Sequence, residues 1–254
     1  MNTTEKKVKE QFKYYIFLSV TYAILIVTAQ AMAYRFISLG GFIEPGGIFI
    51  FPATFAIGDV IAEVYGPTLA RRSIFIALFA QAFFSIIPML INTMPSPSYW
   101  HHQEAYHVVF GSSWLVFISN LVALMIGMVL NTQIIGKTKL LAKGRFFTLR
   151  SLFSSAIGEF ILTLIIVAIA IVPVNGFIRS IDIFYNMFIF KLLFSALAAY
   201  PASLLVVIFK KLDKVDVYEE NVSINPLSQF IHRKSINDEN KIIRLSQVKH
   251  KKMH

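Results

Sequence analysis

The chain has 254 residues, 56% of them hydrophobic, with a mean hydropathy of +0.63. A soluble domain of this size has no use for several apolar runs of about 20 residues, so the composition points to an integral membrane protein with one membrane domain. The absence of cysteine excludes disulfides, thiolate metal ligands and a cysteine nucleophile. The net charge of +10 would suggest nucleic acid in a soluble chain, but here the basic residues follow membrane topology and no nucleic-acid partner is expected.

Residues 1–13 are polar and carry Lys6, Lys7, Lys9 and Lys13. The first span covers 14–39. Ala29-Gln30-Ala31 resembles a signal-peptide cleavage site, yet the apolar run continues through Met32, Ala33, Phe36 and Ile37, which is too long for a signal peptide. Residues 40–47 read as a turn. The second span, 48–66, has Pro52 near its start and Gly46, Gly47 and Gly58 close by. That pattern suits an interrupted helix lining a cavity; the alternative is a proline in a helix's first turn. The third span, 72–91, holds one strongly polar interior residue, Gln81. Residues 92–107 form a polar loop in which His101, His102, Glu104 and His107 fit no metal-ligand spacing, and Trp100 reads as an interfacial anchor.

The fourth span, 108–135, carries Asn120 and Asn131, and a basic loop follows with Lys137, Lys139, Lys143, Arg145 and Arg150. The fifth span, 151–172, contains Gly158 and Glu159. A short loop, 173–183, leads to the sixth span, 184–209, with Lys191 and Pro201 inside it. The expected division is a six-helix transport domain over 1–212 and a basic, disordered cytoplasmic tail over 213–254 that contacts anionic lipid.

The distribution of charge tests this layout. Of the 24 Lys and Arg residues, four precede the first span, two lie between spans two and three, five between four and five, and ten in the tail. The opposite side holds only Arg35 and Arg179. The positive-inside rule then gives six transmembrane helices with both termini cytoplasmic. The expected fold class is an all-α integral membrane protein with helix two interrupted.

The chemistry centres on Gly58 to Arg72, G-D-V-I-A-E-V-Y-G-P-T-L-A-R-R. Asp59 and Glu63 are four residues apart, so both carboxylates project from one helix face at membrane depth. An ionisable group there costs about 3 kcal/mol or more, so a polar cavity, a cation or a proton should accompany it. The plainer alternative is that both acids lie near the membrane edge and pair with Arg71 and Arg72. Glu159 and Lys191 are further buried ionisable residues, and they could form an internal salt bridge. No metalloprotease helix, nucleophile elbow, phosphate-binding loop or Rossmann glycine pattern is present, so neither an enzyme nor a self-sufficient ATP-driven pump is expected.

The segment Asp59, Glu63, Tyr65, Gly66, Ala70, Arg71, Arg72, preceded by Phe51-Pro52, resembles the signature of the queuosine precursor transporter family, also described as putative vitamin uptake transporters. The resemblance extends to Arg150, Ser154, Ser155 and Gly158, and to Lys191 and Pro201. Leu162 and Asn131 depart from it, each standing where an aspartate is common in the family. It implies import of a 7-deazaguanine, either a preQ precursor or queuine, for tRNA modification, with no cofactor or metal. Under that implication Asp59, Glu63, Tyr65, Glu159, Lys191, Phe55 and Gln81 bind the substrate. Pro52, Gly58, Gly66, Arg71, Arg72, Arg150, Asn131 and Pro201 are structural or gating. A guanine-type edge offers adjacent N–H and NH₂ donors that one carboxylate accepts in parallel, and aromatic rings can stack on the base. One acid would bind the base while another, or Glu159, carries a coupling proton. The alternative is the substrate-binding subunit of an energy-coupling-factor importer, with an ATPase module as partner. A membrane-embedded enzyme and an assembly protein are the remaining classes, and a homodimer is left open.

Overall fold

The computed structural model describes residues 13–33, 35–39, 42–111 and 114–219. Among them, six helices are long and apolar enough to cross a membrane. They are built on α1 (Lys13–Met32), α2 (Phe51–Tyr65), α3 (Pro67–Ile91), α4 (Trp114–Leu141), α5 (Phe147–Ile166) and α6 (Phe177–Asp213), the second span starting at Gly46 and the fifth running on to Asn175. One end of the bundle gathers the start of α1, the α2–α3 turn at Gly66, the 142–146 loop and the residues after α6. There Tyr15 Oη donates to Leu69 O at 3.2 Å, and Val217 N donates to Val64 O at 3.2 Å. This is the basic end. The opposite end carries a β-hairpin, the α3–α4 connection and the α5–α6 junction.

The hairpin corrects the first-span boundary. α1 stops at Met32, and β1 (Phe36–Leu39) pairs antiparallel with β2 (Phe42–Pro45), Phe36 opposite Pro45. The strands read Phe-Ile-Ser-Leu and Phe-Ile-Glu-Pro, rich in the aromatic and β-branched residues that suit a pleat. A 3₁₀ turn, Gly46–Phe49, then leads into α2. Pro52 falls in the first turn of α2, where its missing N–H removes no helix bond, and α2 runs unbroken to Tyr65. Gly66, at φ +91°, reverses the chain directly into Pro67 and α3.

Later boundaries move toward the basic end. The fourth span is helical over Trp114–Leu141 rather than 108–135, so Lys137 and Lys139 lie on α4 and not in a loop. Arg150 sits in the first turns of α5. Beyond α5 a π-turn over Val167–Ile171 and a short helix, Val172–Asn175, reach Gly176, which alone separates them from α6. The expected loop at 173–183 is therefore mostly helix, and α6 extends to 37 residues. Residues 213–219, assigned by sequence to a solvated tail, lie against the bundle, with Val215 and Val217 buried. Residues 1–12 and 220–254, with the remaining tail expectation, lie outside the described residues.

The helices expose apolar side chains outward: Ile16, Phe17, Val20 and Ile24 on α1, Phe79 and Phe83 on α3, Leu193, Leu197 and Leu204 on α6. Such surfaces suit hydrocarbon, not water. α2 is the central helix. Phe55, Ile61, Ala62 and Val64 pack with Tyr22, Ile26, Ala123, Leu124 and Leu162 in one core. Small residues let the backbones approach: a Cβ added at Gly127 would stand 2.8 Å from Gly158 O and 2.9 Å from Leu162 Cβ. Gly127→Ala is therefore expected to separate α4 from α5 and lower stability by about 1–3 kcal/mol, read as a reduced unfolding temperature in detergent.

Candidate functional site

The four-residue spacing of Asp59 and Glu63 places both on the face of α2 that meets α4 and α5. Asp59 is fully buried. Its Oδ1 accepts from Asn131 Nδ2 at 2.6 Å; its Oδ2 accepts from Ser155 Oγ at 3.2 Å and from Ser151 Oγ. One carboxylate thus joins α2 to α4 and α5. Glu63, one turn nearer the basic end, is 1% exposed. It pairs with Arg150 Nη1 at 3.0 Å and Lys210 Nζ at 2.8 Å, with Lys139 Nζ at 3.9 Å. Both acids are kept from bulk water, and the donors around them come from the protein itself. The cations on Glu63 come from α4, α5 and α6, not from Arg71 and Arg72 beside it in sequence.

Arg71 is buried, with Nε donating to Pro67 O at 3.4 Å and Glu219 as an electrostatic neighbour; Arg72 is partly buried. Tyr65 packs edge-on to Tyr15 and donates to Asp213 Oδ2 at 2.5 Å. Phe55 lies in the core, against Gly158. Gly58 faces Tyr22, and Pro201 sits on an exposed face of α6.

A candidate space lies at the hairpin end. A cavity of about 510 Å³ opens between the hairpin, the 3₁₀ turn, α2, α4, α6 and the segment after α5. Glu44, Phe51, Asn120, Arg179, Met187 and Lys191 are among the residues lining it. Lys191 is 2% exposed; its Nζ donates to Thr163 Oγ1 at 3.1 Å and lies 5.2 Å from the Phe51 ring centroid. That distance is within cation–π range. Behind Lys191, Glu159 is fully buried. Its Oε1 accepts from Ser195 Oγ, and its Oε2 has no hydrogen-bond partner among the described residues. Glu159 also stands close enough to Asp59 to interact electrostatically. Burial pushes the Glu44 carboxyl in the hairpin above the usual carboxylate range, opposed by Lys191.

Gln81 meets a buried amide cluster: its Nε2 donates to Gln30 Oε1 at 3.0 Å, and Asn120 Nδ2 donates to the same oxygen at 2.6 Å. Asn120 touches the cavity; Gln81 is set behind it. The structure therefore places Lys191 at the cavity with Glu159 buried behind it, and Asp59 with Asn131 between the cavity and the basic end. Glu63 and Arg150 lie at that end. Sequence reasoning did not single out Lys139, Lys210, Asp216, Glu219, Ser151 or Gln30. The lysines resemble ordinary cytoplasmic flanking charge, and nothing in their spacing marks them as partners of Glu63.

A family model described as "putative vitamin uptake transporter" matches residues 45–206. The match covers α2, α3, α4, α5 and most of α6, with Asp59, Glu63, Glu159 and Lys191 inside it. Neither the curated proteins nor the solved structures contain a match to this chain.

Proposed function

The chain belongs to the putative vitamin uptake transporter family, and from that premise we propose that it imports 7-deazaguanine bases such as preQ0, preQ1 or queuine. Family and helices together make it a multi-pass membrane protein that carries a small molecule. The observation that carries the finer reading is the cavity with one buried ammonium at its inner side. Its volume of about 510 Å³ lies in the range of roughly 300–1,000 Å³ typical of small-molecule sites, and its lining is mostly apolar with few polar groups. A flat base stacks on Phe51. Its ring carbonyl accepts from Lys191, and its N–H and NH₂ edge turns toward the Glu159 carboxylate. A cationic aminomethyl arm suits Glu44 in the lining.

In this reading the basic end is cytoplasmic, both termini face the cytoplasm of a bacterial inner membrane, and the cavity opens outward. Glu159, Asp59 and Glu63 then mark successive polar positions between the cavity and the cytoplasm. Asp59→Asn is expected to leave the protein in the membrane while uptake falls about tenfold or more, because an amide cannot accept from Asn131, Ser151 and Ser155 together. Uptake of labelled base by cells unable to make it checks this, and wild-type rates in the variant would remove Asp59 from the path. ATP-dependent uptake and co-purification with an ATPase module would select the energy-coupling-factor alternative instead.

A further inference from the structure

After α6 the chain turns at Lys214 (φ +54°) and runs back across the basic end. Val217 N donates to Val64 O at 3.2 Å, so the segment lies along the last turn of α2. Asp216 Oδ1 binds Lys139 Nζ at 2.6 Å and Lys210 Nζ at 2.9 Å. Lys139 Nζ also donates to Glu63 O at 2.5 Å and Val217 O at 2.7 Å, and it sits 4.3 Å from the Tyr218 ring centroid. The Glu219 carboxylate spans the α2–α3 turn, accepting from Thr68 Oγ1 at 2.5 Å and Thr68 N at 3.2 Å. A Cβ at Gly66 would stand 2.4 Å from Glu219 Oε1. Tyr218 packs on Gly144 in the α4–α5 loop. Residues 213–219 thus tie together α2, α3, α4 and α6 at the end opposite the cavity, and they lie beyond the 45–206 family match.

We propose that residues 213–219 are a gating strap that seals the basic end of the transport path while the cavity is open at the other. The kind of contact matters here as much as its place. The strap is held chiefly by ion pairs and hydrogen bonds near the bundle end, with two valines beneath. Water at that end can replace those polar partners, so release exchanges one set of hydrogen bonds for another instead of opening the central core. Released, the strap uncovers Glu63 and frees Lys139 from Asp216, which loosens the α2–α3 turn against α4. The gating role rests on the transporter reading, and it does not depend on which base is carried.

The chain contains no cysteine, so thiol probes can be placed singly in the full-length protein. With Ser155→Cys reconstituted in liposomes, labelling from the strap side by a membrane-impermeant thiol reagent is expected to rise about tenfold when Asp216→Asn and Glu219→Gln are added. Unchanged labelling in folded, monodisperse protein would overturn the seal. Because the loosened strap could also destabilise the protein, Thr68→Cys with Glu219→Cys provides a second reading in an otherwise native chain. A short bis-thiol crosslinker with a reducible spacer across this pair is expected to stop transport, and a reductant to restore it. Equal transport before and after crosslinking would overturn gating. If labelling responds as expected while no 7-deazaguanine crosses under any condition, the strap stands and the substrate assignment fails.

Discussion

Lys191→Met is expected to reduce uptake by about a hundredfold while leaving the protein at least as stable as the wild type. The two halves have different causes. A charged hydrogen bond to the substrate, together with the cation held near Phe51, is worth a few kcal/mol, and each 1.4 kcal/mol is tenfold in affinity. Lys191 is 2% exposed and makes one hydrogen bond among the described residues, to Thr163. Among the described residues Lys191 makes no ion pair within 4.0 Å, so an apolar chain of similar volume removes the desolvation cost of the ammonium without breaking such a pair. Glu159 then loses its cationic neighbour. Uptake of labelled base and thermal unfolding, measured on the same preparation, check both halves. Wild-type transport in the variant would detach Lys191 from the substrate.

Glu63→Gln is expected to act in the opposite sense on stability, costing about 3–5 kcal/mol, because it breaks a buried ion-pair cluster by removing one partner. Glu63 is the buried anion on which Arg150 converges at 3.0 Å and Lys210 at 2.8 Å. Lys139 approaches to 3.9 Å. Asp216 takes part of the charge of Lys139 and Lys210 but makes no pair with Arg150. A neutral amide leaves the guanidinium without its counter-charge, and α5 loses one of its ties to α2. The unfolding temperature should fall sharply, and the variant should also release the basic end. An unchanged melting temperature would show that the cluster is solvated in the membrane and contributes little.

The membrane helices were legible because apolar runs of spanning length have no place in a water-soluble fold, and the alternating loop charges agreed with their number. Helix ends were less legible. Lys137, Lys139 and Lys210 read as loop or tail residues, yet each continues a helix past the apolar stretch, since lysine is a good helix former and the hydropathy signal ends before the helix does. The hairpin was hidden because Phe36-Ile37-Ser38-Leu39 prolongs the apolar run of α1 past the single charge of Arg35. At the site, Asp59 and Glu63 were visible as acids out of place, and their shared face followed from spacing alone. Their partners were not visible: Asn131 is 72 residues from Asp59, and Lys210 is 147 residues from Glu63. Intramembrane charge signals that something compensates it, and only tertiary packing says whether that is a ligand or another helix. Here helices satisfy Asp59 and Glu63, while Lys191 faces the cavity.

Transport itself is decided by uptake of a labelled 7-deazaguanine base into liposomes containing only the purified full-length protein. Saturable accumulation above protein-free liposomes is expected, competed by unlabelled base and lost in Lys191→Met. Accumulation no greater than in empty liposomes, with the protein folded and inserted, would refute import of these bases.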